Sequence, residues 1–209
     1  MWPLLAALGP RLLIPGFFLG PKIAGMDDTV QIAQTIALSL LFVTFAVTVF
    51  SDEYWLALIP GIAAWAYWNM IRDPHNLDRY RYTDWVFTTP LMLLAILIVN
   101  GAPTSKMAIV IVLDLLMIGA GYLGVKEQEK TKKRTLFALG CAAFLPILYI
   151  LFQMKKTKYA IYLTLAMWTL YPLVWLADEE QAIEKRTTNI SYAIMDVVAK
   201  VGLVNLLRI

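Results

Sequence analysis

Apolar runs about as long as a bilayer-spanning helix recur along this chain, and nothing else in the sequence constrains its fold so strongly. Seven such runs stand out: Thr29–Phe50, Tyr54–Ile71, Tyr80–Val99, Lys106–Val125, Thr135–Gln153, Tyr159–Ala177 and Asn189–Arg208. At a rise of about 1.5 Å per residue, roughly 20 residues cross the hydrocarbon core of a membrane. The runs are continuous rather than alternating, so they predict helices and not the strands of a barrel. Pro60-Gly61, Pro90, Pro146 and Pro172 interrupt several of them, which bilayer helices tolerate when neighbours satisfy the freed carbonyls. The connections are short, so consecutive helices become antiparallel neighbours in an all-α, seven-transmembrane-helix bundle. Composition agrees: 60% of the 209 residues are apolar and 16% charged, against about a quarter charged in a soluble domain.

Residues 29–209 thus read as one membrane domain. Residues 1–28 fit less well, because Pro3, Pro10, Pro15 and Pro21 recur too often for a spanning helix. Their apolar start resembles a signal sequence but lacks a clear small-residue cleavage pattern, so a segment lying on the surface or capping the bundle is expected. Cys141 is the single cysteine, which excludes a disulfide framework and a cysteine-based metal site. A net charge of +3 is too weak to argue for nucleic acid. Lys126, Lys130, Lys132, Lys133 and Arg134 make the Lys126–Arg134 connection the most basic, and the Arg72–Arg81 connection on the same side adds three. By the positive-inside rule this places the amino terminus in the cytoplasm. His75, between Asp73 and Asp78, reads as a solvated loop residue without a role.

Against this background the ionisable residues inside the runs are informative. Lys200 lies near the middle of the last run, with Asp196 four residues earlier on the same helix face. Charge at that depth costs several kcal/mol and marks a functional site. About two apolar turns separate Lys200 from Arg208, too far for its amine to snorkel to the headgroups. A desolvated lysine is also a good imine former. Arg81, Asp84 and Thr88 share one face of the third helix at i, i+3 and i+7. Buried charges need partners, so Asp84 and Asp196 are expected to balance Lys200 and the Arg81 guanidinium. The alternative is an ion network that only fixes helix packing.

Trp85 and Thr89 lie on the neighbouring stripe, and Trp168, Tyr171 and Trp175 repeat around Pro172 on the sixth helix. Aromatics at helical spacing are usually core, yet several facing Lys200 make a flat slot for a rigid, conjugated, apolar ligand. On the fourth helix Asp114 precedes Met117, Gly119 and Gly121; the aspartate suits a hydrogen bond to Thr89, and Gly121 allows a ring to approach the backbone. Tyr67 and Asn69 on the second helix offer further polar contacts.

Three segments carry a resemblance. Arg81-Tyr82-Thr83-Asp84-Trp85-Val86-Phe87-Thr88-Thr89-Pro90 resembles the third-helix signature of microbial (type 1) rhodopsins. Trp168-Thr169-Leu170-Tyr171-Pro172-Leu173-Val174-Trp175 is similar to their sixth-helix clamp, and Asp196-Val197-Val198-Ala199-Lys200-Val201-Gly202 to their Schiff-base segment. The resemblance covers nearly the whole chain after residue 28. It implies all-trans retinal bound covalently to Lys200 as a protonated Schiff base, with Asp84 as counterion and proton acceptor and Asp196 as second counterion. Arg81 organises the outward half-channel, and Tyr67 and Tyr171 hydrogen-bond the counterions. With Lys200, the residues Tyr67, Trp85, Thr89, Met92, Asp114, Met117, Gly121, Trp168, Tyr171, Pro172 and Trp175 bind the cofactor. It also implies an amino terminus outside, against the charge count.

The chain departs from the best-known proton pump of that family in two places. Ala95 stands where that pump has a cytoplasmic donor carboxylate, so the cycle is expected to be slow near neutral pH and faster in acid. Glu180 aligns with one member of the extracellular release pair but Thr188 replaces the other, leaving Glu179, Glu180 and Glu184 as release candidates. Three readings follow: a slow or weak outward proton pump, a light-gated cation channel, and a photosensor acting through a partner. Compact donorless rhodopsins, some of them viral, resemble this chain, and Gln31, Gln34 and Asn205 are candidates to wet a channel. Asp84 argues against a chloride pump, and Thr88 with Ala95 against the family's sodium-pump motif. The expected protein is not an enzyme but an ion transporter, moving protons or monovalent cations as a homo-oligomer in a lipid membrane.

Overall fold

The computed structural model describes residues 25–208, so the expectation for residues 1–28 falls almost entirely outside the described residues. Those residues form seven α-helices and two short 3-10 turns, without strands. The helices are α1 (Asp28–Val49), α2 (Leu58–Arg72), α3 (Leu77–Val99), α4 (Thr104–Lys126), α5 (Lys130–Phe152), α6 (Lys158–Glu179) and α7 (Lys185–Leu207). Each packs on the next, and α7 closes the ring against α1 while also crossing to α2 and α3. The antiparallel bundle expected from the short connections is the one observed.

Local chemistry sets the helix ends. Asp27 caps α1, accepting from the backbone N–H groups of Thr29 at 2.9 Å and Val30 at 3.3 Å and from the Thr29 hydroxyl. The Thr29 hydroxyl bond above all holds the Asp27 carboxyl below the usual carboxylate range. The second apolar run is not one α-helix: a 3-10 turn, Tyr54–Ala57, leads into 15 residues of α2. The tighter turn rises about 2 Å per residue, so turn and helix together still reach ~30 Å. This also explains Pro60, which falls in the first turn of α2, where an N–H has no α-helical partner to lose. Pro90, Pro146 and Pro172 sit inside continuous helices rather than ending them.

The connection Lys126–Arg134 is corrected in the same way. Only residues 127–129 lie outside helices, because α5 begins at Lys130 and takes four of the basic residues into its first turns. They reach the end of α6: Arg134 donates to Glu180 at 2.6 Å and Lys133 to Glu179 at 3.0 Å. At the opposite end of the bundle the Asn100 side chain donates to Thr157 Oγ1 at 3.2 Å and accepts from the Lys156 N–H at 2.8 Å, tying the α5–α6 connection to the end of α3.

The outer faces carry exposed apolar residues such as Ile36, Phe42 and Val43 on α1 and Leu115 and Leu116 on α4, as lipid-facing surfaces do. Inside, one half of the bundle is filled by Leu93, Ala95, Ile96, Leu97, Ile147, Leu151, Leu203 and Val204, all buried. The buried polar residues described in that half are hydroxyls, Thr44, Thr48 and Thr164, each donating to its own helix. Charge is concentrated in the middle and the other half.

Candidate functional site

Helical periodicity on α3 and α7 brings the charged residues together at the bundle centre. Asp84 and Thr88 face inward one turn apart, and Asp196 and Lys200 face them from α7; all four are buried. Lys200 Nζ donates to Asp84 Oδ2 at 2.5 Å and to Asp196 Oδ1 at 3.0 Å. A buried ammonium with two carboxylates meets the requirement that ions out of water be paired. The two carboxylates differ in what else they hold. Asp196 also accepts from Tyr67 at 2.8 Å, Trp85 at 3.1 Å and Tyr171 at 2.7 Å. Among the described residues Asp84 has beyond Lys200 only the Thr88 hydroxyl, at 3.1 Å. Asp196 is saturated with donors, whereas Asp84 keeps room to take a proton.

From Lys200 a cavity extends between α3, α4, α5 and α6. Of the expected binding residues Trp85, Thr89, Met92, Met117, Gly121, Trp168, Tyr171, Pro172 and Trp175 line it, and Lys200 and Asp196 stand at its polar end. The walls are almost wholly apolar and aromatic. Trp85 meets Tyr171 edge-on, ring centres 5.1 Å apart, while Trp175 stacks on Phe137 at 4.9 Å. At Gly121 a Cβ would lie 3.0 Å from Tyr82 Oη, so a side chain there would push on the cavity wall.

Several expectations need correction. Tyr67 and Asp114 do not line the cavity; they stand behind it, Tyr67 bonded to Asp196 and Asp114 to Thr89 at 2.8 Å. Asn69 donates to the Trp65 carbonyl of its own helix instead of reaching the site. Arg81 is buried as expected but is not shared by Asp84 and Asp196. Its Nη1 pairs with Asp78 at 2.8 Å and its Nη2 donates to Asn189 at 2.7 Å. The carboxylates of the last loop lie apart from the centre: Glu180 pairs with Lys130 and Arg134, Glu179 with Lys133, and Glu184 with Arg186.

One wall of the cavity is unexpected. Leu136, Phe137, Gly140, Cys141 and Phe144 of α5 line the cavity, as do Tyr82 and Tyr192. Positions 137, 140, 141 and 144 follow the i, i+3, i+4, i+7 pattern of one helix face, the available signal.

The Thr89–Asp114 bond, made to Asp114 Oδ2, joins α3 to α4 in the core, and Asp114 Oδ1 has no hydrogen-bond partner among the described residues. Thr89→Val therefore leaves a buried carboxyl without its hydrogen bond, at about 1–2 kcal/mol. The thermal midpoint in detergent is expected to fall by about 2–6 °C; an unchanged midpoint would show that Asp114 finds another partner.

Set beside known proteins, this arrangement has close counterparts. A family model described as bacteriorhodopsin-like protein matches residues 28–208. Bacteriorhodopsin of Halobacterium salinarum is 32% identical over 171 residues, which take in 69% of this chain and 65% of that protein, just under two thirds of its length. Sensory rhodopsin-2 of Haloarcula vallismortis is 30% identical over 170 residues, 70% of this chain and 72% of the relative. Among solved structures, the proton-pumping rhodopsin AR2 of the marine alga Acetabularia acetabulum is similar with a TM-score of 0.80 and 25% identity, covering 88% of this chain and 94% of that one. A seven-helix membrane bundle closed around a buried lysine and two aspartates is the frame of a microbial rhodopsin. This chain belongs to the bacteriorhodopsin-like family, an integral multi-pass membrane group whose cofactor is retinal bound through a lysine. The cavity suits that group: a long apolar slot with one amine at its end.

Proposed function

We propose that this protein is a slow, light-driven outward proton pump, with all-trans retinal joined to Lys200 and Asp84 as the proton acceptor. The observation that carries this reading is Lys200 Nζ held at 2.5 Å from the less encumbered of two buried carboxylates. Bound to Lys200 as an imine, retinal supplies what no side chain can, absorption of visible light and an isomerisation that turns the N–H.

The residues hold and move the proton. Before illumination the cation at Nζ is balanced by Asp84 and Asp196 in a buried site of low dielectric constant. Were the proton at the lysine nitrogen turned away from Asp84, the charges would be separated, and Asp84 is the carboxylate placed to take that proton and so remove both charges. Asp196, with its donors from Tyr67, Trp85 and Tyr171, stays ionised and keeps the lysine nitrogen oriented. Thr88 holds Asp84 in place. Reprotonation of Nζ is the slow step, because Ala95 and its neighbours fill the inner half and no carboxylate stands there among the described residues. The cycle therefore accelerates as the pH falls. On the outward side, with the amino terminus outside, Glu180 is a poor neutral-pH store, since its hydrogen bond from Arg134 holds its carboxyl below the usual range. Glu179 and Glu184 remain the release candidates.

A light-gated cation channel is the second reading, favoured by Gln31 and Gln34, buried on the inner face of α1. The hydroxyls further along that face, Thr44 and Thr48, already bond to their own helix, and the apolar plug opposes a wet path. Photocurrent recorded against voltage in a clamped membrane decides between the readings. A pump gives outward current at zero and negative voltage. Reversal with the cation gradient makes the protein a channel, and colour without current makes it a sensor.

A further inference from the structure

We infer that Asp78, together with Asn189, is the positioning residue for Arg81, holding its guanidinium turned outward and off the carboxylates beside Lys200. The inference rests on the reading of Lys200 and Asp84 given above. Arg81 has a carboxylate three residues away in either direction on its own helix, Asp78 and Asp84, so spacing favours neither. The side chain takes the outer one. Nη1 bonds to Asp78 Oδ1 at 2.8 Å, Nη2 to Asn189 Oδ1 at 2.7 Å, and the guanidinium carbon lies 4.6 Å from the centre of the Tyr192 ring. Both terminal nitrogens and one π-face are thereby engaged, which fixes a planar guanidinium more firmly than a single bond. Asp78 is well placed to hold this latch. It sits in the first turn of α3, where a carboxylate suits the helix dipole, and its side chain is 42% exposed, while that of Arg81 is 5% exposed.

The consequence lies at the centre of the bundle. Lys200 is the cation paired with Asp84 and Asp196 among the described residues, and Arg81 keeps its charge at the mouth. The other groups facing this region are Tyr67 of α2, Tyr82 and Trp85 of α3, Tyr171 of α6 and Tyr192 of α7. Asp178 at the end of α6 is paired with Lys185. Releasing the latch lets a positive charge move toward Asp84, which favours the ionised carboxylate.

The test is an acid titration of colour in the full chain loaded with all-trans retinal, where protonation of Asp84 appears as a red shift. Asn189→Leu alters no charge, and Asp78→Asn removes the anion of the latch. Each is expected to lower the titration midpoint by about one pH unit, from a charge drawn a few ångströms closer. Asp78→Glu is expected to restore the wild-type midpoint. In an Arg81→Gln background Asp78→Asn should have no further effect, because the residue acts through Arg81. In the chain without retinal, hydrogen exchange at the Arg81 side chain should accelerate in both latch variants. Midpoints equal to wild type in both variants overturn the latch. So does an Asp78→Asn shift that survives in Arg81→Gln, which is the carboxylate acting directly through space. A wild-type chain that takes up retinal without colour overturns the underlying reading of Lys200 instead.

Discussion

Lys200→Ala protein, prepared with all-trans retinal, is expected to show no visible absorbance band. Lys200 supplies the amine at the polar end of the cavity, and no other lysine among the described residues lines it. Without that amine no imine forms, and free retinal absorbs outside the visible band of a protonated one. The substitution also leaves Asp84 and Asp196 buried without their cation, which costs about 3–5 kcal/mol when one partner of a buried pair is removed. Loss of colour through misfolding is therefore separated by Lys200→Arg. Arginine keeps a positive charge between the carboxylates but stays protonated, so it forms no imine. That variant should be folded by circular dichroism and still colourless. A visible band in either variant would place the covalent bond elsewhere.

Asp84→Asn has the second largest expected effect, on colour and transport together. The carboxylate beside Lys200 lowers the energy of a cation localised at Nζ by ~4 kcal/mol at an effective dielectric constant near 20. Excitation spreads that cation away from the nitrogen, so losing the counterion narrows the energy gap and shifts absorption to the red. The amide introduced by this substitution also cannot accept the proton at neutral pH, and removing a positioned base slows proton transfer by about 100-fold or more. Purified variant protein should be red-shifted, and its photocurrent should fall to background. An unshifted spectrum with intact current would transfer both roles to Asp196, whose donors from Tyr67, Trp85 and Tyr171 argue against it.

What could be read directly from the sequence was whatever violated the apolar pattern. Lys200, Asp196, Asp84 and Arg81 stand out because charge inside a spanning run is costly, and fixed periodicity dictates which of them share a face. Thr89 and Asp114 could be paired for the same reason, as two polar groups at matching depth. The α5 wall stayed hidden because Leu136, Phe137 and Phe144 suit lipid as well as they suit a ligand, so their pattern lacked contrast. From the sequence Arg81 is expected to turn toward Asp84, but Asp78 is equally spaced from it, and Asn189 on another helix, which gives no signal at that spacing, bonds the outward-turned side chain. The 3-10 entry to α2 was concealed by Trp55 and Leu56, which continue the apolar run without marking a change of pitch.

The packed inner half also has an electrical side. A region of Leu93, Ile96, Leu97, Leu203 and their neighbours, with neither water-sized polar lining nor charge, behaves as the dielectric of a capacitor. In the proposed orientation most of the membrane voltage falls across it. In the pump proposed above, each proton that refills Lys200 would climb that field, at about 2.3 kcal/mol per 100 mV. In the proposed pump, a cell interior made more negative thus brakes the refilling step selectively, and turnover would gauge the potential that pumping builds.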